Sequence, residues 1–259
     1  MSLRPSPRYS RMLNITEVVM SFTSETKVKD IALANPAARH VLEDAGVDYC
    51  CGGGKSLQEA CLHADVPAEA ILQRLRENSK DVNPDEANWT SAPLSDLTRH
   101  IRERHHRYVR EAILRVQSIL EKVRAKHGEN HSEIADIQRL FTEVSREMIM
   151  HMQKEEQILF PYIDALQRSA DGNGAVEAPF FQTVRNPIQA MMREHDAAGE
   201  LVRQIRKASS EYTAPADACT SYVALYQDLR EFEADLHQHV HLENNILFPR
   251  AVEIEAAVV

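Results

Sequence analysis

Glycine is scarce in this chain: eight residues in 259. Tight turns and left-handed backbone are therefore few, and long helices are expected. No apolar run approaches the roughly 18–20 residues that cross a bilayer, so no membrane partner is expected. A basic surface is missing as well. The net charge is −9 and the pI about 5.7, which argues against nucleic acid as a partner. Cysteine is confined to Cys50, Cys51, Cys61 and Cys219, two adjacent and two scattered, which is no secreted disulfide framework. With no secretory apolar core near the N-terminus, a reducing cytoplasm is the expected compartment. The first residues carry Arg4, Arg8 and Arg11 against one acid, Glu17, and 1–26 reads as a disordered extension.

What is present is helical patterning. Residues 27–80 read as a small domain of short helices. Gly46 closes one of them, Ser56 with Glu59 forms a capping box, and Pro67 opens the next. The motif DYCCGGG, residues 48–54, sits between helices. Residues 81–93 are polar with two prolines and read as a linker. Four long helical segments follow within 94–255: about Leu94–Lys126, Ser132–Leu166, Asn186–Ser209 and Ala216–Glu255. Ile134, Ile137, Phe141, Val144, Met148 and Met152 recur at threes and fours, the period of one buried helix face. Two helical hairpins pack most simply as an antiparallel four-helix bundle, so the expected fold is all-α.

The bundle segment spells one unit twice. HMQKEEQILFP at 151–161 returns as HVHLENNILFP at 239–249, an offset of 88 residues. His106 precedes His151 by 45 residues and His195 precedes His239 by 44. On a helix, His151 with Glu155 and His239 with Glu243 each lie one turn apart on the same face. Spacing from Met148 and Met152 puts these pairs beside the apolar face. Burying an imidazole and a carboxylate without partners costs several kcal/mol, and two such pairs would make a poor core. A transition metal satisfies them together. His106, His151, His195, His239, Glu155 and Glu243 exceed the four ligands of one tetrahedral zinc and suit two irons bridged by the carboxylates. A lone HxxxE is usually a surface pair; its repetition in register, each copy with an upstream histidine, favours metal.

His127 has no counterpart in the second half. Its spacing fits a further ligand and equally a helix C-terminal histidine favoured by the macrodipole. Of the adjacent His105 and His106, only one points inward easily, and His106 keeps the repeat. His237 and His241 are expected on the far side from His239, and His40, His63 and His131 in solvent. Glu147 and Glu194 read as solvated glutamates, or as carboxylates supporting the ligands or lining a channel.

The HxxxE…LFP pairs with single upstream histidines resemble the hemerythrin-like di-iron domain. DYCCGGG ahead of such a domain resembles the N-terminal signature of the repair-of-iron-centres family, bacterial proteins linked to recovery of iron–sulfur clusters after nitric oxide or peroxide stress. NWTSAPL, residues 88–94, is similar to that family's text, and the likeness covers about residues 24–255. The resemblance implies metal ligands at His106, His127, His151, Glu155, His195, His239 and Glu243. The implied cofactor is two non-haem irons with oxo and carboxylate bridges. It matches the family's vicinal cysteines to Cys50 and Cys51. Their thiolates suit iron in transit, and near three glycines a partner can approach closely; two small buried hydrophobes is the bland alternative. The expected function is iron donation to damaged or apo iron–sulfur proteins, with Cys50 and Cys51 relaying iron or electrons. The alternatives are a di-iron enzyme that reduces nitric oxide, and an oxygen or nitric oxide carrier or sensor. Donor and enzyme need the same ligands, so enzymatic activity stays open. The small domain can dock on its own bundle or on a second copy, which leaves a homodimer open.

Overall fold

The computed structural model describes residues 21–34, 36–78 and 89–259; residues 1–20 of the expected extension and 79–88 around the expected linker lie outside it. Among the described residues the fold is helical without a strand, the one bridge joining Lys27 and Ser56. The chain divides into two compact units after Glu86.

The first unit contains α1 (Val28–Ala34), α2 (Pro36–Asp44), α3 (Leu57–His63) and α4 (Ala68–Glu77). Val28, Ile31, Leu42 and Leu57 form its solvent-free centre. Gly46 adopts φ +67°, and the Val47 N–H donates back to the Leu42 carbonyl at 2.9 Å, ending α2 with a left-handed residue that suits glycine. The Ser56–Glu59 capping box is formed in full. Pro67 is the N-cap of α4 rather than its first residue. The expected extension reached residue 26, but its end is folded. Phe22 is buried, and the Ser24 and Thr26 carbonyls accept from the N–H groups of Gln58 and Leu57, each at 2.9 Å. An apolar anchor and otherwise orphaned helix N–H groups hold this segment.

The second unit is a bundle of four rods. The first is α5 (Leu94–His100), a π-helical turn (Ile101–His106) and α6 (Arg107–His127). The second is α7 (Glu133–Lys154), a π-turn (Glu155–Leu159) and α8 (Phe160–Ala170). The third is α9 (Arg185–Ala208), and the fourth is α10 (Thr220–Leu242), a π-turn (Glu243–Leu247) and α11 (Phe248–Val258). α9 lies along α7, and α10 along α6. The six apolar residues from Ile134 to Met152 that share one helical face are all buried. Phe141 on α7 meets Phe232 on α10 edge to face at 5.3 Å. The fourth helix starts at Thr220, not Ala216, because the Ala218 N–H turns back to the Pro215 carbonyl at 3.0 Å. No helix among the described residues is long and apolar enough to cross a membrane.

The second and third π-turns have a visible cause. Phe160 and Phe248 donate backward five residues, to the carbonyls of Glu155 and Glu243. Pro161 and Pro249 come next, in the first turns of α8 and α11. Proline has no N–H and its ring crowds the carbonyl four residues earlier, so widening the helix just before it relieves the clash. These two π-turns therefore begin at the glutamates of the HxxxE pairs.

The C-terminal rod is pinned by one carboxylate. Glu255 accepts from Tyr162 Oη on α8 and from the Val184 N–H ahead of α9, both at 2.8 Å, and from the Thr183 hydroxyl. Replacing Glu255 with Ala strands these donors and is expected to cost about 2 kcal/mol or more. Urea unfolding followed by helical circular dichroism measures the loss; an unchanged midpoint would show that the pin contributes nothing.

Candidate metal centre

Where the rods converge, six side chains meet in a dry core. His106 closes the first π-turn. Glu155 and Glu243 open the other two. His151 and His239 lie one turn before those glutamates, and His195 projects from the middle of α9. All six are at most 1 % exposed. They form two overlapping groups, His106–Glu155–His239–Glu243 and His151–Glu155–His195–Glu243, each with ligand atoms within 4.8 Å of one another. Glu155 Oε2 lies 3.3 Å from His106 Nε2 and 3.4 Å from His151 Nε2. Glu243 Oε2 lies 3.0 Å from His195 Nε2, and its Oε1 lies 2.9 Å from His239 Nε2. Both carboxylates thus belong to both groups.

This arrangement has the signature of a cation site. His106 Nε2, both oxygens of Glu155 and Glu243 Oε2 are shielded from solvent without a hydrogen-bond partner. His151 Nε2 and His195 Nε2 face each other at 3.0 Å, tolerable only with a proton or a metal between the lone pairs. Four imidazoles and two carboxylates fit first-row metals.

The imidazoles are aimed from behind. Glu156 Oε1 holds His106 Nδ1 at 2.7 Å and is itself held by Arg110 at 2.9 Å. Glu194 holds His151 Nδ1 at 3.0 Å and also binds Lys154. Asn244 Oδ1 holds His195 Nδ1 at 3.0 Å. Such partners fix the tautomer and raise ligand basicity. Sequence reasoning missed Glu156 and Asn244, although they occupy the same position in the two copies, 88 residues apart, directly after the ligand glutamates. Glu194 and Glu147 line a cavity of about 390 Å³ between α7 and α9, together with Arg146, Lys154 and Arg193. Glu194 links that cavity to His151.

Charge balance follows from the burial. Desolvation opposes a charged His151, yet Glu155, Glu194 and Glu243 outweigh it and push its pKa up to about 10. Glu194 is held down to about 2, chiefly by its bond to His151. Desolvation and Glu243 oppose ionisation of Glu155, but His151 and His106 keep it below the usual carboxylate range.

Four histidines sit elsewhere than expected, one of them His131, which is half-buried between Glu133 and Asp217. His127 ends α6, 21 residues beyond His106, which is about 30 Å along a helix. It is not gathered with the other six; its neighbours are His131 and Tyr222. His105 is buried beside His106 because the π-turn widens the helix, and it stacks on His239 with Nδ1 on Asp235 at 3.0 Å. His241, expected on an outer face, is also buried, its Nδ1 meeting Asn245 Nδ2 at 2.9 Å.

In the first unit the two cysteines form their own cluster. Asp48 Oδ1 accepts from the N–H groups of Cys50 and Cys51 at 3.1 and 2.9 Å and from the Cys50 thiol at 3.4 Å. The two sulfurs lie 3.9 Å apart and are not bonded. Cys51, burial and Asp48 together raise the Cys50 pKa, so a thiolate there requires a metal or an incoming cation. A Cβ on Gly52 would press on Asp48 at 3.1–3.3 Å, whereas Gly54 has open space.

Two outcomes follow for the bundle. His127→Ala is expected to retain the full metal content, whereas His106→Ala loses at least half of it, as read by elemental analysis. Loss of metal in the His127 variant would contradict the separation. Metal binding must also displace the proton that His151 carries below pH 10. Affinity is therefore expected to fall as pH falls, with protons released on loading; a weakly buffered metal titration that shows no acidification would oppose this.

Comparison with known proteins agrees with both units. Residues 97–251 match the hemerythrin HHE cation binding domain, and residues 24–79 match a domain of unknown function, DUF542. The iron-sulfur cluster repair protein YtfE of Musicola paradisiaca is 35 % identical over 233 residues, covering 90 % of this chain and 98 % of that protein. A probable iron-sulfur cluster repair protein of Haemophilus influenzae is 36 % identical, covering 90 % and 99 %. The Citrobacter koseri YtfE is 35 % identical, covering 90 % and 99 %. With two unit-length matches and relatives aligned nearly end to end, the chain belongs to the family of hemerythrin-domain iron–sulfur cluster repair proteins.

Proposed function

We propose that this protein repairs iron–sulfur clusters damaged by nitrosative or oxidative stress by donating iron from a two-iron store. His106 and His239 would hold one iron and His151 and His195 the other, with Glu155 and Glu243 available to both. The observation that carries this reading is the ligand count. Each position receives two imidazole nitrogens and two shared carboxylates, with His127 too distant to add a third nitrogen. So small a donor set would leave iron exchangeable, which suits cargo that must leave.

The surrounding residues handle the protons. When iron departs, His151 regains a proton favoured by Glu155 and Glu194. Lys154 and Glu194 connect it to the 390 Å³ cavity at the surface of α7 and α9. Asp48, Cys50 and Cys51 offer a mixed oxygen and sulfur donor set for iron on its way to an apo iron–sulfur protein. Cys50, Cys51, Cys61 and Cys219 are all free thiols, which suits a reducing compartment. The same donor set would also serve one further reading, reduction of nitric oxide at that centre.

The test combines iron-loaded protein with an apo iron–sulfur enzyme, sulfide and reductant. Enzyme activity is expected to return in step with iron lost from the donor. The Cys50→Ser, Cys51→Ser variant is expected to keep its iron and restore activity at least tenfold more slowly. Iron that stays bound while activity fails to return rejects donation, and sustained nitric oxide consumption with an electron donor would then support the enzyme.

A further inference from the structure

The cavity of about 390 Å³ between α7 and α9 has walls of unlike character. Ala190 and Ala197, two turns apart on one face of α9, make its room, since a longer side chain at either position would reach into it. Arg193 stands between them on the same face. Arg146 and Met150, one turn apart, come from α7. Met150 is 53 % exposed and gives the cavity an apolar wall.

Charge in this cavity is incompletely matched. Elsewhere on the same two helices arginine finds a carboxylate three residues away: Arg139 meets Asp136 at 3.9 Å, and Arg203 meets Glu200 at 2.9 Å. Lys154, at the cavity, is paired with Glu194. Among the described residues Arg146 and Arg193 have neither an ion pair nor a hydrogen bond, and nor has Glu147. Two guanidiniums from opposite walls thus line the cavity with their donors unused by the chain.

We propose that this cavity binds a small organic dicarboxylate, one carboxylate on Arg146 and the other on Arg193. A guanidinium presents its donors as a planar fork that matches a carboxylate two bonds at a time. Two forks on separate helices select two anionic groups joined by a short chain over one compact anion. The volume lies in the range of small-molecule sites. Met150 and the two alanines suit the carbon chain, and Glu147 can accept from a hydroxyl on it. Glu194 belongs both to this cavity and to His151, whose Nδ1 it holds at 3.0 Å, so one side chain separates the occupant from the metal pocket. The site stands whether or not iron is donated.

Succinate is the probe, titrated calorimetrically into the iron-loaded, full-length protein at low salt. The expected result is saturable binding of one succinate per chain, with sulfate, a single anionic group, at least tenfold weaker. Arg146→Gln and Arg193→Gln are each expected to weaken succinate at least tenfold. Arg139→Gln, outside the cavity, leaves it unchanged, and Ala197→Leu, which keeps every charge, blocks it. Arg146, Arg193 and Ala197 are all exposed, so these replacements leave the core untouched; circular dichroism and iron content check each variant. The proposal is overturned if no saturable binding appears, if sulfate binds as well as succinate, or if binding survives either the arginine replacements or Ala197→Leu. No readout involves iron transfer, so a failed site and a failed donor are told apart.

Discussion

Two carboxylates buried side by side are the constraint on which this structure rests. Glu155 and Glu243 have no solvent exposure and share one pocket with four imidazoles. Either charge alone would be expelled from a dry core. Positive charge, as protons or as metal, is what allows them to remain. The apolar faces of α6, α7 and α10 can close around the pocket because that compensation is present. The outer ring of Glu156, Glu194 and Asn244 then holds the imidazoles so that their Nε2 atoms point inward and nowhere else.

The duplication explains the near symmetry of the centre and also its asymmetry. Matched positions give a histidine, a glutamate and a π-turn in each half. The residue after the glutamate differs, Glu156 in one copy and Asn244 in the other, so one imidazole is backed by a carboxylate and its counterpart by an amide. His239 Nδ1 has no hydrogen-bond partner at all. The fold supplies two equivalent positions, and side chains outside the repeat pattern make them unequal.

Much of this was legible because helix geometry converts spacing into direction. The i, i+4 pairs and the 88-residue offset sufficed to single out six side chains that meet in one dry pocket, and the threes and fours from Ile134 to Met152 marked the buried face. Spacing within one helix says nothing of distance along it, which is why His127, placed by resemblance among the ligands, lies about 30 Å away. The exclusion of His105 assumed 100° per residue, and a π-turn does not keep that angle. His131 was assigned to solvent because its partners, Glu133 and Asp217, come from a neighbouring turn and from the other hairpin. The LFP after each glutamate was the available clue to the wide turns, since proline states where a regular helix cannot continue.

Those wide turns also set the register of everything downstream. A π-turn holds one residue more than the α-helical turn it replaces, and one residue is worth about 100° of rotation. α8 and α11 present Tyr162 and Glu255 to each other only because that extra residue has been spent at the metal pocket. Shortening either ligand turn by one residue would therefore do more than move a glutamate. It would swing the whole following helix about a quarter turn, turning its packed face to water, so the spelling from glutamate to proline is held to a fixed length from both ends at once.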